Sequence, residues 1–186
     1  MKQLTNRVCQ LFKVPTIHSL SQITPKIRKA RVIIVTGTPS TGKTTLAKQI
    51  EKQFRLTRLD VNAIIKNNKL CEGYDRKNKC WIVDEERFTQ VLEKIVREKR
   101  KNKQKIVIDS HLSHCLNPRL VDICFVTRCD LNDLYRRLKK KEYPKNKIEE
   151  NMECEIMEVC LQEAYDKKHT LIVVDTTKKR KKKEYD

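Results

Sequence analysis

Four short runs along the chain are apolar at nearly every position: Val32-Ile33-Ile34-Val35, Ile106-Val107-Ile108, Val121 to Val126, and Leu171-Ile172-Val173-Val174. A strand with one wet face alternates apolar and polar residues. Continuous β-branched runs instead suit parallel strands covered on both faces. Between them, Phe88, Val91, Leu92, Ile95 and Val96 recur at helical spacing, as do Ile148, Met152, Ile156, Val159 and Cys160, so both stretches predict amphipathic helices. A further helix is expected over Thr44 to Phe54. Strands and helices in alternation predict an α/β fold, a three-layer doubly wound parallel sheet of about five strands with right-handed crossovers. In a chain of 186 residues this is one compact domain, expected over residues 31–177. Residues 1–30 contain no Asp or Glu, carry Pro15 and Pro25, and show no sustained periodicity. They read as a basic N-terminal extension, compatible with a transit peptide, although the Ser and Arg enrichment is slight. Residues 178–186 read as a basic tail.

The first strand runs directly into Gly37-Thr38-Pro39-Ser40-Thr41-Gly42-Lys43-Thr44, a complete GxxxxGK[ST] pattern that opens a helix. Gly37 and Gly42 allow backbone angles and close approach that a side chain would block. Successive N–H groups then turn inward around phosphate oxygens, and the helix N-terminus adds positive potential. Lys43 is placed to reach β- and γ-phosphates, and the Thr44 hydroxyl to hold Mg²⁺. Gly73 is the last glycine of the chain, so a GTPase DxxG switch is excluded. Thr127-Arg128-Cys129-Asp130 superficially resembles a guanine-reading motif, but Asp130 is better read as the cap of a helix from Leu131 to Leu138.

Asp109-Ser110-His111 ends a buried strand, where ligands of doubly wound sheets collect. Asp109 there can orient Mg²⁺ or its water shell. His111 can contact phosphate or assist proton transfer. Arg128, Arg136, Arg137 and Lys141 follow, with Lys139 and Lys140, and Pro144 stops the helix just after this run. Cations from such a lid, Arg137 and Lys141 foremost, can neutralise a transferred phosphoryl group.

Charge widens the picture. Lys plus Arg number 42 against 24 Asp plus Glu, a net charge of +18. Basic residues cluster at Arg97–Lys105, Arg136–Lys147 and Lys178–Lys183. That excess fits phosphate-bearing partners, nucleic acid included, and equally a compositional bias; the tail reads as a nuclear address, an RNA-binding arm or a solvated end. The sequence shows neither a secretory signal nor an apolar run long enough to cross a bilayer, and no membrane partner is expected. The eight cysteines include no CxxC pair. They read as mostly buried free thiols of a reducing compartment. His111, His114 and Cys115 lie close together, but no second pair completes a zinc site.

One combination is more specific than its parts: Gly37-Thr38-Pro39 with Gly42-Lys43-Thr44-Thr45, then Glu72-Gly73-Tyr74-Asp75, Asp109-x-His111, Lys141-Glu142-Tyr143, Lys147-Ile148-x-x-Asn151 and Glu155-Ile156. Over residues 31–177 it resembles the adenylate kinase isoenzyme six family, also called coilin-interacting nuclear ATPase. The stretch from Ser110 to Thr177 is most like archaeal members. The resemblance implies a phosphate-loop nucleoside monophosphate kinase fold. It implies Mg²⁺-dependent transfer of phosphate from ATP to AMP or other monophosphates, ATP hydrolysis, and a role in small-subunit rRNA maturation alongside a ribosomal protein. It implies ATP contacts from Ser40, Gly42, Lys43, Thr44 and Thr45, a monophosphate-binding segment near residues 60–83, a lid near 140–150, and Asp175-Thr176-Thr177 near the adenine. A cytoplasmic location is expected, with the nucleus as the alternative. The chain departs from the family at three places. Ser40 replaces a glycine, Lys66 stands where an arginine grips the monophosphate, and Lys141-Glu142 replaces Arg-Gly. A lysine lacks the bidentate fork of arginine, so weaker monophosphate binding is expected. The rival expectation is an ATP-driven assembly factor, with little kinase activity, that binds RNA or a ribosomal protein.

Overall fold

The structure is a computed structural model that describes residues 12–76 and 80–177. Strand β1 (Thr16–Ile17) leads through a 3-10 turn at Leu20–Ile23 to helix α1 (Thr24–Lys29). There follow β2 (Val32–Thr36), α2 (Lys43–Phe54), β3 (Thr57–Leu59), α3 (Val61–Asn67), the hairpin β4 (Cys71–Asp75) and β5 (Cys80–Val83), and α4 (Glu85–Lys101). The second half comprises β6 (Ile106–Asp109), β7 (Ile123–Arg128), α5 (Leu131–Lys140), α6 (Lys145–Ile156), α7 (Val159–Asp166) and β8 (Leu171–Asp175). Six strands form one parallel sheet in the order β1-β8-β7-β2-β6-β3. The four apolar runs are its four inner strands.

Why those runs are apolar throughout is visible in β2. Val32 and Ile34 enter one core, with Phe88, Leu92 and Val96 of α4 and Leu161 and Ala164 of α7. Ile33 and Val35 enter the other, with Leu46, Ala47 and Ile50 of α2 and Ile27 of α1. Both faces are covered, so neither phase of the strand repeat can be polar.

Residues 16–30, expected as part of an extension ahead of the domain, are packed into it. Thr16 and Ile17 pair with Val173 and Val174 of β8, and Ile27 is fully buried. Pro25 lies in the first turn of α1, where the missing N–H is no loss. The sheet accordingly has six strands where about five were expected. Residues 1–11 and the basic tail at 178–186 lie outside the described residues.

The helical spacing from Ile148 to Cys160 belongs to two helices. Glu158 adopts a left-handed φ of 51° between α6 and α7, and its carboxylate pairs with Arg128 Nη1 at 3.2 Å. The left-handed residue separates the two helices, and Ile156 is half exposed. Cys71, Cys115, Cys124, Cys129, Cys154 and Cys160 are free thiols, but only Cys124 and Cys129 among them are buried. The helix after Asp130 forms as expected, with Asp130 accepting the N–H of Asn132 at 2.9 Å.

Candidate nucleotide-binding site

Strand β2 is central, with β6 on one side and β7 on the other. The phosphate loop leaves β2 between them, at the point where the sheet's connections diverge. Gly37 has φ 134°, and a Cβ there would lie 2.4 Å from the Thr127 carbonyl oxygen. Gly42 has φ 107° and lies against Thr176. Ser40 also has positive φ, 73°. Its Oγ is buried with no hydrogen-bond partner. A left-handed non-glycine residue is therefore held in the loop, and its hydroxyl gains no hydrogen bond in return.

Lys43 opens α2 and folds back across the loop, its Nζ donating to Gly37 O at 2.6 Å and Thr38 O at 2.9 Å. Those oxygens hold the ammonium over the centre of the loop. Burial lowers its pKa from 10.5 to about 8, an effect that Glu155 opposes and Lys141 reinforces. Thr44 and Thr45 follow on the first turn of α2 and are exposed, so their hydroxyls are accessible. The loop is braced from below. Thr41 Oγ1 donates to Thr38 O at 2.7 Å and lies 2.7 Å from Thr127 Oγ1.

Arg137 is drawn onto the loop rather than held in open solvent. Its guanidinium reaches Ser40 O at 3.4 Å, Thr176 Oγ1 at 3.2 Å and Thr176 O at 2.8 Å. Thr176 Oγ1 in turn donates to Thr41 O. Helix α5 and the end of β8 are thus fastened to the loop through one arginine and one threonine. Lys141, at the C-terminal end of α5, is exposed. It is near enough to Lys43 for the two charges to repel.

The lid expected at 140–150 is the tip where α5 turns into α6. Its base has a small core of its own, formed by Cys129, Leu134, Leu138 and Ile148 with Tyr143 and Met152. The segment expected to bind a monophosphate comprises α3 and the hairpin. Lys66 is exposed on α3, and Trp81 and Tyr74 face each other across the hairpin with ring centroids 5.1 Å apart.

Asp109 ends β6 in register with Val35 of β2. Its side chain is only 8% exposed, and its Oδ1 accepts Arg58 Nη1 at 3.2 Å. Arg58 comes from β3, and nothing local in the sequence marks it as a partner of Asp109. With the exposed Thr44 hydroxyl, the Asp109 carboxylate provides hard oxygen donors and no soft one. That donor set fits Mg²⁺, which keeps several waters and takes few protein ligands.

His111 exposes much of its surface. Loss of hydration within the site, then Lys43 and His114, still lower its pKa to about 4. It is a neutral imidazole at pH 7. His114 turns inward, its Nδ1 2.9 Å from Thr36 Oγ1 and its Nε2 2.9 Å from Glu163. Burial, then Lys167, lowers its pKa to about 4. His114 is thus tied on both ring nitrogens, to Thr36 on one side and Glu163 on the other, while the Thr36 hydroxyl also reaches His111 O at 3.2 Å. Cys115 points elsewhere, to Glu85 Oε1 at 2.7 Å, so the three candidate zinc ligands do not converge.

Glu155 had no role assigned from the sequence. It is buried on α6, accepts the N–H of Cys129 at 3.0 Å, and takes a hydrogen bond from the Thr38 side chain. Burial raises its pKa, and Lys43 is among the groups opposing that rise. An acid among apolar helix positions is the trace it leaves in the sequence.

Residues 33–158 match the AAA domain family. The chain is 38% identical over 143 residues to the adenylate kinase isoenzyme 6 homolog of Schizosaccharomyces pombe, covering 77% of this chain and 79% of that protein. A protein of Methanocaldococcus jannaschii named for adenylate kinase is 34% identical over 145 residues, covering 78% and 76%. A solved structure from Chloroflexus aurantiacus shares the fold with a TM-score of 0.50 at 17% identity, over 78% of this chain and 88% of that one. Relatives from both fungi and archaea align over most of their own length, and the matched domain at 33–158 spans the phosphate loop described above: the chain belongs to the adenylate kinase isoenzyme 6 family.

Proposed function

We propose that the chain is an adenylate-kinase-type phosphotransferase that moves the γ-phosphoryl group of ATP to AMP or another nucleoside monophosphate. The observation that carries this reading is the phosphate loop, with Lys43 held over its centre and α2 directed at it, in a member of this family. Catalysis is by positioning and charge neutralisation, because the acceptor phosphate is itself the nucleophile. Loop N–H groups and Lys43 bind the β- and γ-phosphates. Gly37, Ser40, Gly42, Thr44 and Thr45 line the donor site, and Lys43 releases Gly37 O and Thr38 O to do its work. Thr44 and Asp109 would hold Mg²⁺, partly through water, and the ion would neutralise phosphate charge when bound. Neutral His111 donates or accepts a hydrogen bond at the acceptor phosphate. Lys141 closes from the lid tip. Arg137 acts chiefly by holding the loop through Ser40 and Thr176.

The test is incubation of the purified chain with ATP and each of the common monophosphates, with Lys43→Ala as control. Formation of the acceptor diphosphate, lost in the control, is expected. ATP consumption without any acceptor diphosphate would sink the kinase reading.

A second reading concerns partners. The largely exposed basic residues at and just beyond the C-terminal end of α4, Arg97, Lys101, Lys103 and Lys105, and the lid tip from Lys139 to Lys147 exceed what a nucleotide requires. They support ATPase-coupled work on small-subunit rRNA or a ribosomal protein, in the cytoplasm or the nucleus. Stimulation of ATP hydrolysis by rRNA is the expected result, and an unchanged rate with no binding would end that reading.

A further inference from the structure

The carboxylate best placed to serve the nucleotide's metal already has a cation. Arg58 Nη1 lies 3.2 Å from Asp109 Oδ1, and Asp109 is nearly buried, its side chain 8% exposed. Arg58 also faces a second acid. Its Nε lies 3.6 Å from Glu51 Oε2 on α2, and its backbone N–H is held by Glu51 Oε1 at 3.3 Å. The Nε is itself buried and makes no hydrogen bond. One guanidinium is therefore shared between two carboxylates, and neither geometry uses its full fork.

Two cations cannot both occupy the near side of one buried carboxylate without strong repulsion. We propose that Arg58 is a positioning residue that rivals the nucleotide's magnesium ion for Asp109, with Glu51 as the acid that receives Arg58 when the metal prevails. In the metal-free state Arg58 holds Asp109 oriented. When metal and nucleotide enter, Arg58 withdraws toward Glu51, only 3.6 Å from its Nε, and completes that pair. The metal dependence of nucleotide binding in this chain is then set by the balance between two acids for one arginine. The inference rests on the kinase reading given above.

The balance gives opposite signs for two substitutions. Arg58→Met removes the rival and keeps the bulk of the stem. Glu51→Gln removes the alternative acid, retains an acceptor for the Arg58 N–H, and leaves the guanidinium wholly to Asp109. The experiment is calorimetric titration of the full chain with ADP, once in EDTA and once in excess MgCl₂. The quantity read is the ratio of the two dissociation constants. Arg58→Met is expected to raise the gain from magnesium about tenfold, equivalent to ~1.4 kcal/mol, through tighter binding in the magnesium arm. Glu51→Gln is expected to lower it about threefold, equivalent to ~0.65 kcal/mol, and Arg58→Lys to give an intermediate ratio.

A brace with no part in metal binding would move both variants in the same direction, or neither; either outcome overturns the proposal. So does a ratio that rises in Arg58→Met only because ADP binds less well in EDTA. If Arg58→Met does not fold, Arg58→Lys and Glu51→Gln decide the sign. A parallel arm reads the melting shift induced by MnCl₂ alone, expected to be larger in Arg58→Met than in the wild type. Wild-type protein that binds no ADP would count against the kinase reading, and the manganese arm would then decide on Arg58 by itself.

Discussion

Ser40 combines two separable costs at one position: a non-glycine residue at φ 73° and a buried hydroxyl with no partner. A side chain in the left-handed region costs about 1 kcal/mol. A buried hydroxyl without a hydrogen bond costs a further ~1–3 kcal/mol. Against these stands the greater freedom that glycine gives the unfolded chain, about 0.4–1 kcal/mol. Ser40→Gly is therefore expected to stabilise the protein by about 1–3 kcal/mol. At this chain length each kcal/mol corresponds to roughly 2–4 °C in Tm. Ser40→Ala removes the hydroxyl and keeps the strained backbone, so it is expected to fall between wild type and the glycine variant. Urea unfolding of the three proteins at constant pH measures the series, with equal m-values as the check that only stability has changed. A glycine variant no more stable than wild type, or an alanine variant more stable than the glycine one, would refute the argument.

Three further expectations follow from the site and the core. Because free Lys43 has a pKa of about 8 and binds phosphate as the cation, kcat/KM for ATP should decline as pH rises through about 8; a flat profile to pH 9 would contradict its placement. His114 has its folded pKa depressed from 6.5 to about 4, so the unfolded chain takes up the proton first. Stability should fall as pH drops from about 6.5 toward 4, and His114→Asn should blunt that slope in urea midpoints measured across the window. Ile27→Ala should cost about 2–5 kcal/mol because the side chain is fully buried between α2 and the sheet; a change below about 0.5 kcal/mol in chemical unfolding would mean that α1 is a dispensable appendage.

The phosphate loop and the inner strands were legible because their signals are local. A GxxxxGK[ST] pattern and a run of β-branched residues require no knowledge of distant neighbours. Strand β1 shows the limit. Two residues after a proline carry no periodicity, and what makes them a strand is the free edge of β8, supplied by residues 173 and 174. Arg58 was illegible for the same reason: in a three-residue strand its charge looks like ordinary surface, and only the pairing of β3 with β6 brings it to Asp109. The break at Glu158 was hidden by apolar spacing that continues across it, since helical periodicity does not register a left-handed residue stabilised by a distant arginine. The charge run around Arg137 points to a lid cation; its engagement by the carbonyls of Ser40 and Thr176 joins residues far apart in the chain and leaves no local trace.

The pairing of β1 with β8 also bears on how the protein is made. Among the described strands, β1 precedes all the others in the chain yet pairs with β8, which follows them all, and β2 must likewise wait for β6 and β7 to emerge. The nascent chain therefore carries the finished phosphate-loop sequence well before it has a sheet to hold it. Nucleotide capture becomes possible only after β6 and β7 have emerged, and refolding from denaturant should be slow for a chain of this length, because its central contacts are long-range.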